Sequence, residues 1–239
     1  MGLCHKARRM LRAFAWDRPL GQLARLPLRL IPRELALPVL TGPNRGRRWI
    51  VGSGTHACWL GSYERAKLDY VCRIVRRGTT VFDVGAHAGF YTLALAGRVG
   101  SDGQVIAIEP DPENVRRLGR HLALNRVGTA RVIEAAACDH AGTVRFLGDG
   151  YLGHVDDAGA PVTAVRLDDL GEPDLIKLDV EGGEAAALKG AERILARGHT
   201  DVLLALHGIC DQEALNILAA HRYRILWLGE RELHAIPPN

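Results

Sequence analysis

Short apolar runs alternate with amphipathic stretches along most of the 239-residue chain. Continuous apolar runs of this length are typical of strands that are buried on both faces, and the stretches between them repeat with the period of a helix. Strands are predicted at residues 80–84, 104–108, 130–136, 175–180, 202–206 and 224–228. Helices are predicted at residues 64–76, 91–98, 112–125, 184–196 and 212–221. This order predicts an α/β fold with a doubly wound, mostly parallel sheet.

The alternation is interrupted at two places. After the third strand, where a helix would otherwise stand, VRFLGDG is predicted to be a loop and VTAVRLDDL suggests a hairpin-like excursion. Near the C-terminus, YRILWLG and ELHAIP are separated by about three residues, which is too few for a parallel crossover. One of these two final strands must therefore run antiparallel.

Charge is unevenly distributed along the chain. Residues 1–48 carry eleven Lys and Arg against two Asp and Glu, whereas the remainder carries twenty against twenty-five. We expect a basic N-terminal extension at 1–48, an N-terminal subdomain and helix at 49–78, and the main domain at 79–239. Residues 3–14 have an apolar helical face, which indicates possible contact with an anionic membrane surface or a partner protein. A short helix packed on its own domain, or a frayed arm, is the alternative.

The composition favours a cytoplasmic protein. No stretch approaches the uninterrupted apolar length of a membrane span, and Arg and Pro break the early apolar run. The cysteines are scattered singly, without a pair that suggests a disulfide framework or a zinc site, at Cys4, Cys58, Cys72, Cys138 and Cys210. Aromatic residues are few and form no cluster for stacked bases, so no nucleic-acid partner is expected.

The stretch VFDVGAHAGFYTLALA, at residues 81–96, changes from a buried strand to a helix. Gly85 and Gly89 stand at the change-over. Glycine allows a close backbone approach, and the start of the helix offers unpaired N–H groups. In a doubly wound sheet, ligands bind at this end of the strands. The loop is therefore a candidate ligand site, and a tight turn needed only for packing is the alternative.

Glu109 ends the next strand, beside the glycine loop. Its carboxylate can accept hydrogen bonds from both hydroxyls of a ribose, and its distance along the chain from Gly85 fits a βαβ nucleoside site. A solvated acid that caps the helix at Pro112 is the alternative.

The loop does not suit a dinucleotide. Gly85 is followed by Ala86 and His87, so the middle glycine of the G-x-G-x-x-G pattern is missing. Asp83 would also set a negative charge near the phosphates. A ligand with a positive centre and an amino-acid tail, such as S-adenosylmethionine, suits the loop better.

These motifs resemble the FkbM family of class I S-adenosylmethionine-dependent methyltransferases. The resemblance covers residues 59–208 and is carried by WLGSYE, VFDVGAHAGFYTL, VIAIEPDPENVRRLGRHLALN, VTAVRLDDL, DLIKLDVEGGEAAALKGA and LLALHG. It implies a seven-stranded sheet with an antiparallel C-terminal strand, and methyl transfer to an oxygen of a small-molecule, sugar or lipid-linked acceptor. A non-catalytic module that keeps the fold for binding or scaffolding is the alternative.

The resemblance also implies which residues bind the cofactor. The methionine part would be lined by Asp83, Gly85, Ala86, His87 and Gly89; the ribose would be bound by Glu109, with Pro110 and Asp111 beside it; the adenine would be bordered by Ala137 and Cys138. Two positions depart from the family pattern. His87 stands where Asn is usual, and Ala205 stands where an acid often precedes His207 by two residues.

An O-methyl transfer needs a base that removes the proton of the acceptor. His207, at the fifth strand tip, is the leading candidate because its ordinary pKa suits neutral pH. Asp179 and Glu181 are the other candidates. The three could also form a metal cluster, but Ala205 removes a ligand, and no metal is predicted.

Four further interpretations stay open from the sequence. His207 can be a satisfied histidine at a strand end, and Lys177 is predicted to form a structural ion pair. Glu64 lies near the cofactor entrance by resemblance, or simply starts a helix. The Gly-rich segment 147–161 can be a lid whose polar side chains contact the acceptor, or a solvated loop; these side chains are His154, Asp156 and Asp157.

Overall fold

A computed structural model describes residues 28, 30–148, 153–155, 158–208 and 211–238. The amphipathic pattern at residues 3–14 lies outside the described residues. In chain order the elements are β1 (Ala36–Pro38), β2 (Arg48–Ile50), α1 (His56–Leu60), α2 (Arg65–Ile74), β3 (Thr80–Val84), α3 (Phe90–Val99), β4 (Gln104–Glu109), α4 (Pro112–Leu124), β5 (Ala130–Glu134), β6 (Ala136–Ala137), β7 (Gly142–Gly148), β8 (Gly153–Val155), β9 (Ala160–Val165), β10 (Leu175–Leu178), α5 (Glu184–Lys189), α6 (Glu192–Arg197), β11 (Asp201–Ala205), α7 (Asp211–Ala220), β12 (Arg224–Trp227) and β13 (Glu232–Ile236).

The central sheet has seven strands in the order β12-β13-β11-β10-β3-β4-β5. Strands β11, β10, β3, β4 and β5 pair in parallel, and β13 pairs antiparallel with both β11 and β12. The mostly parallel, doubly wound sheet with an antiparallel C-terminal strand is thus confirmed. The short connection between β12 and β13 allows only a hairpin, as the sequence predicts.

Both faces of the sheet are buried because successive positions on its strands are apolar. On β3, Val81 belongs to one hydrophobic cluster and Phe82 to the other, and Val105 and Ile106 divide in the same way on β4. The first cluster includes side chains of α2, α3 and α4, and the second includes side chains of α5, α6 and α7. Trp49 and Trp59 lie in the first cluster. The chain that precedes β3 therefore shares its core with the main sheet.

The excursion after β5 forms a second, four-stranded sheet in the order β6-β9-β7-β8. The strand predicted at 130–136 is divided, because the Ala135 N–H donates to the Glu109 carbonyl while Ala136 pairs with Ala164 in the second sheet. The chain thus leaves the central sheet at Ala135. The hairpin-like interpretation of this region is confirmed, but the loop predicted for VRFLGDG is wrong at residues 144–148, which belong to β7 and pair with β8 and β9.

The helix predicted at 184–196 is two helices, α5 and α6. A Cβ on Gly190 would overlap the carbonyl oxygen of Cys138, so the chain passes very close to the end of β6. The buried Asp168 carboxylate accepts hydrogen bonds from the N–H groups of Arg193 and Ile194, at 3.1 and 3.0 Å. Asp168, which lies outside the helix, therefore caps the start of a new helix, α6. The local sequence does not reveal this cap.

His121 joins three parts of the fold. Its ring is fully buried and stacks on Trp49 with a centroid separation of 3.9 Å. The Ile50 N–H donates to Nε2 at 3.0 Å, and Nδ1 lies 2.7 Å from the Ala88 carbonyl oxygen. Because Nε2 must accept, the proton of the neutral ring is on Nδ1 and is donated to Ala88. His121 thereby fixes β2 and the loop before α3 against α4.

We expect this neutral histidine to make the fold sensitive to acid. Burial lowers the pKa of His121 to about 4, against about 6.5 in an unfolded chain. The unfolded chain therefore takes up the proton first as the pH falls. The stabilisation that neutral His121 gives the folded state is complete above about pH 6.5. It is lost progressively as the pH falls to about 4, and the total loss is roughly 3 kcal/mol.

Urea denaturation at pH 7 and pH 4.5 tests this expectation. The decrease in unfolding free energy between the two pH values should be clearly smaller in His121→Gln than in the wild type. His140→Gln changes an exposed histidine and should behave as the wild type. An equal decrease in wild type and His121→Gln would contradict the expectation.

Candidate functional site

A cavity of about 370 Å³ opens over the carboxyl ends of four adjacent strands, β10, β3, β4 and β5. Adjacent strands lie about 4.8 Å apart, so the four tips span about 14 Å. The strand order reverses between β3 and β10, because β4 and β5 follow on one side of β3 while β10 and β11 lie on the other. This reversal is where doubly wound sheets bind ligands.

The glycine loop lines the floor of the cavity with Gly85, Ala86 and His87. Gly85 has a φ of +74°, and a Cβ there would overlap the carbonyl oxygen of Asp179. Gly89 has a φ of +91°, and a Cβ there would overlap the Leu118 side chain. Packing therefore accounts for both glycines. The cavity stays open above the loop, so the packing role and the ligand role coexist.

A buried ion pair holds the tip of β3 against β10. The Lys177 ammonium donates to the Gly85 carbonyl at 2.8 Å and lies 3.3 Å from Asp83 Oδ1. The Thr92 hydroxyl donates to the other oxygen of Asp83 at 2.6 Å. The structural ion pair predicted for Lys177 is present. Asp83 is fully buried and does not line the cavity.

Glu109 lies in the cavity wall, where three groups fix its side chain. The His87 N–H donates to Oε2 at 2.8 Å, and the Asp111 N–H and the Asn114 amide donate to Oε1 at 3.2 and 3.3 Å. Burial raises the pKa of Glu109, although these donors oppose the shift. The cap of α4 is Asp111, which accepts from the N–H groups of Glu113 and Asn114. Glu109 is therefore not the helix-capping acid of the alternative interpretation.

The cavity floor becomes apolar beyond Glu109. Pro110, Ala136 and Ala137 line this end. Two predicted cofactor residues do not line the cavity: Cys138 packs with Ala164 under the second sheet, and Gly89 faces Leu118. Close packing against Ala164 and Leu118, respectively, explains both positions.

The predicted catalytic residues come together at the tip of β10. His207 Nε2 lies 3.5 Å from Asp179 Oδ1 and 3.8 Å from Glu181 Oε2. Its Nδ1 lies 2.6 Å from Oε1 of the buried Glu184. Asp179 and Glu181 line the cavity, and His207 stands directly behind them. The hydrogen bond to Glu184 raises the pKa of His207; burial opposes this shift, and the two cavity carboxylates add to it.

Lysine and tyrosine side chains that the sequence did not single out complete this end of the cavity. Lys67 Nζ lies 3.3 Å from Asp179 Oδ2 and 3.2 Å from Glu232 Oε1. The Tyr91 hydroxyl donates to Glu64 at 2.7 Å. Burial alone would raise the pKa of Asp179, but the charges of Lys177 and Lys67 outweigh it and lower that pKa. Asp179 is therefore held as a carboxylate.

Three non-glycine residues of the cavity wall have a positive φ: Glu64 and Glu181 at +39°, and His87 at +50°. Side chains rarely adopt this conformation, and such outliers concentrate at functional sites. The position of Glu64 at the cavity agrees with the expectation that it lies near a cofactor entrance. Local sequence gave no signal for these conformations.

The charged lining suits a cation. Its carboxylates outnumber its single lysine, Lys177, and are Glu64, Glu109, Asp111, Asp179 and Glu181. In the described part of the chain, no cluster of three or more His, Cys, Asp or Glu side chains is arranged to hold a metal ion. His154 also lines the cavity, whereas Asp156 and Asp157 lie outside the described residues.

Comparison with solved structures shows the same fold. The methyltransferase FkbM from Methylobacillus flagellatus KT matches with a TM-score of 0.52 and 20% identity, over 76% of this chain and 55% of that chain. The precorrin-6y C5,15-methyltransferase from Geobacter metallireducens GS-15 matches with a TM-score of 0.50 and 15% identity, over 72% of this chain and 87% of that chain. No curated protein matches the sequence. The chain spans about half the length of the FkbM methyltransferase from Methylobacillus flagellatus KT.

A family model identifies the chain more specifically. The model of the methyltransferase FkbM domain matches residues 83–225, which is more than half of the sequence. The match runs from the tip of β3 into β12 and so contains the glycine loop, Glu109 and the residues at the tip of β10. The chain belongs to the FkbM family of class I methyltransferases, whose methyl donor is S-adenosylmethionine.

Proposed function

We propose that the protein methylates a hydroxyl oxygen of a small-molecule, sugar or lipid-linked acceptor. The observation that carries this proposal is the group at the tip of β10, where His207 is held by Glu184 and stands against two carboxylates of the cavity wall. When bound, S-adenosylmethionine supplies an electrophilic methyl group on a sulfonium. The protein must then align the acceptor and accept its proton.

In this proposal, the cofactor lies across the strand tips with its ribose at Glu109. A carboxylate has about four acceptor positions, and three donors occupy positions on Glu109, so it can still accept from a ribose hydroxyl. The backbone of Gly85 to His87 offers the polar surface for the amino-acid tail. The acidic lining favours the sulfonium over an anionic ligand. Asp83, Gly89 and Cys138 act indirectly, by fixing the loop and the strand tips.

His207 is the base in this proposal. Glu184 fixes the proton on Nδ1 and leaves Nε2 free to accept, as in other carboxylate–histidine pairs. Asp179 is a weaker base because its pKa is lowered, but it and Glu181 can orient the hydroxyl by accepting its hydrogen bond. The proton would pass from the hydroxyl held by these carboxylates to His207 Nε2, which lies 3.5 Å from Asp179 Oδ1.

The size and charge of the cavity limit the acceptor. The cofactor must share a volume of about 370 Å³ with the acceptor, so a large acceptor can insert only its reacting part. The excess of carboxylates in the lining repels a phosphate backbone. Both features support a small-molecule acceptor and disfavour a nucleic acid.

Two further proposals concern the surroundings of the protein. The three described free cysteines, Cys58, Cys72 and Cys138, are buried, which is compatible with a cytoplasmic location. In the part of the chain that the structure describes, no helix has the length and apolar character needed to span a bilayer. The basic extension at 1–48 is proposed to contact an anionic membrane surface or a partner protein.

Substitution of Glu109 tests the cofactor site. Glu109→Gln removes the charge and turns an amide donor towards the N–H groups that now donate to this side chain, so the ribose loses its acceptor. We expect calorimetry with S-adenosylhomocysteine to give a Kd about 30-fold higher, which corresponds to about 2 kcal/mol. Glu113→Gln, on the exposed side of α4, should bind as the wild type. Equal affinity of both variants would contradict the role of Glu109.

The rate of methyl transfer as a function of pH tests the base. Because the pKa of His207 is raised, the wild-type rate should decrease as the pH falls. The midpoint of this decrease should lie above 6.5, the ordinary pKa of histidine. Glu184→Gln removes the charge beside His207 and should move this fall to lower pH. His207→Ala should lower turnover about 100-fold or more, with the affinity for S-adenosylhomocysteine unchanged.

The assay follows tritiated methyl groups from S-adenosylmethionine into a panel of free sugars, nucleotide sugars and lipid-linked sugars. Glu192→Gln, which changes an exposed acid at the start of α6, is the control and should keep the wild-type pH profile. Label found only on nitrogen or carbon would contradict O-methylation. Cofactor binding without transfer to any acceptor would favour the scaffolding alternative.

A further inference from the structure

The second sheet contributes residues to the cavity wall at the end opposite His207. β6, which immediately follows the tip of β5, pairs with β9, and β9 pairs with β7. β8 completes the hairpin by pairing with β7. The backbone hydrogen bonds of this sheet therefore connect the β7–β8 hairpin, through β9, to Ala136 and Ala137 in the apolar part of the cavity wall.

Phe146 is the aromatic residue that this hairpin contributes to the cavity. It pairs with Ala160 on one side and with Val155 on the other, and its side chain lines the cavity. A Cβ on Gly148 would lie 2.6 Å from Phe146 Cε1 and 3.2 Å from Asp111 Oδ2. The edge of the ring is therefore close to Asp111, in the motif that follows the proposed ribose-binding Glu109.

The ring has no packing role that accounts for its position. Among the described residues, Phe146 belongs to none of the three hydrophobic clusters and contacts no other aromatic ring. It is half-buried, and Pro110, Ala136 and Ala137 line the same cavity. An aromatic face in a cavity wall with small apolar side chains suits a flat ring.

We propose that Phe146 stacks on the adenine ring of the cofactor and that the β7–β8 hairpin covers the nucleoside end of the site. This proposal rests on the cofactor orientation given above, in which the ribose binds at Glu109. The hairpin then determines cofactor affinity and does not select the acceptor. His154, which pairs with Leu147 on the same hairpin, also lines the cavity.

Calorimetric titration of the full chain with S-adenosylhomocysteine tests this role. Phe146→Ala removes the stacking face and should raise the Kd about tenfold, whereas Phe146→Tyr keeps the ring and should bind within about twofold of the wild type. Leu147→Ala is the matched control, because Leu147 is the next residue on β7, is 47% exposed and does not line the cavity. It should bind as the wild type.

A second probe, adenosine, isolates the nucleoside from the amino-acid tail. The affinity for adenosine should also fall about tenfold in Phe146→Ala, because the stacking contact involves only the adenine ring. The melting temperature of the ligand-free variant should stay near that of the wild type, since the ring belongs to no cluster. This comparison separates lost stacking from misfolding.

The outcomes distinguish Phe146 from the cofactor site as a whole. Wild-type binding of both probes, with equal affinity in Phe146→Ala, would overturn the role of Phe146 and leave the cofactor site standing. Loss of S-adenosylhomocysteine binding without loss of adenosine binding would also overturn the stacking role. A wild-type protein that binds neither probe would overturn the cofactor site and the role of Phe146 with it.

Discussion

The buried ammonium of Lys177 is the interaction on which the site depends. It reaches from β10 to the carbonyl of Gly85 at 2.8 Å and to Asp83 at 3.3 Å, below the floor of the cavity. Removal of one partner from a buried ion pair costs about 3–5 kcal/mol, since the other charge is left uncompensated. Lys177 also lies 3.8 Å from Asp179, so one positive charge fixes the glycine loop and helps to keep the cavity carboxylate ionised.

The cavity has two chemically different ends, one at the tips of β4 and β5 and the other at the tip of β10. Towards β4 and β5, the wall carries two buried acids, Glu109 and Asp111, together with small apolar side chains. Towards β10, the wall carries carboxylates whose charges are balanced by Lys67 and Lys177 from below and by His207 from behind. A nucleoside fits the first end and a proton transfer fits the second. The reacting methyl group would lie between them, above the glycine loop.

The sequence predicts those parts of the fold that depend on neighbours along the chain. Buried strands, helices and the final hairpin follow from apolar period and loop length, and the tip positions of Gly85, Glu109 and Asp179 follow from the order of these elements. Predictions failed where a distant residue decides. Asp168 divides the helix at 184–196, and the pairing of Ala136 with Ala164 divides the strand at 130–136.

The same distinction applies to the site. The motif predicts that Asp83 contacts the cofactor, but it does not show that this side chain is buried against Lys177 and Thr92. The roles of Glu184, Lys67 and Phe146 were not predicted, because each depends on a partner at least 23 residues away, as Glu184 does on His207. Periodicity carries no information about such contacts. The spacing of Glu64 and Lys67 on one helical turn was the only local signal for the charged group beside Asp179.

A crystal structure of the protein with S-adenosylhomocysteine tests the central claim most directly. The account predicts that a ribose hydroxyl donates to the Glu109 carboxylate, that the sulfur lies above Gly85, and that the adenine lies between Ala137 and Phe146. A ligand bound elsewhere, or a Glu109 side chain turned away from the ribose, would contradict it.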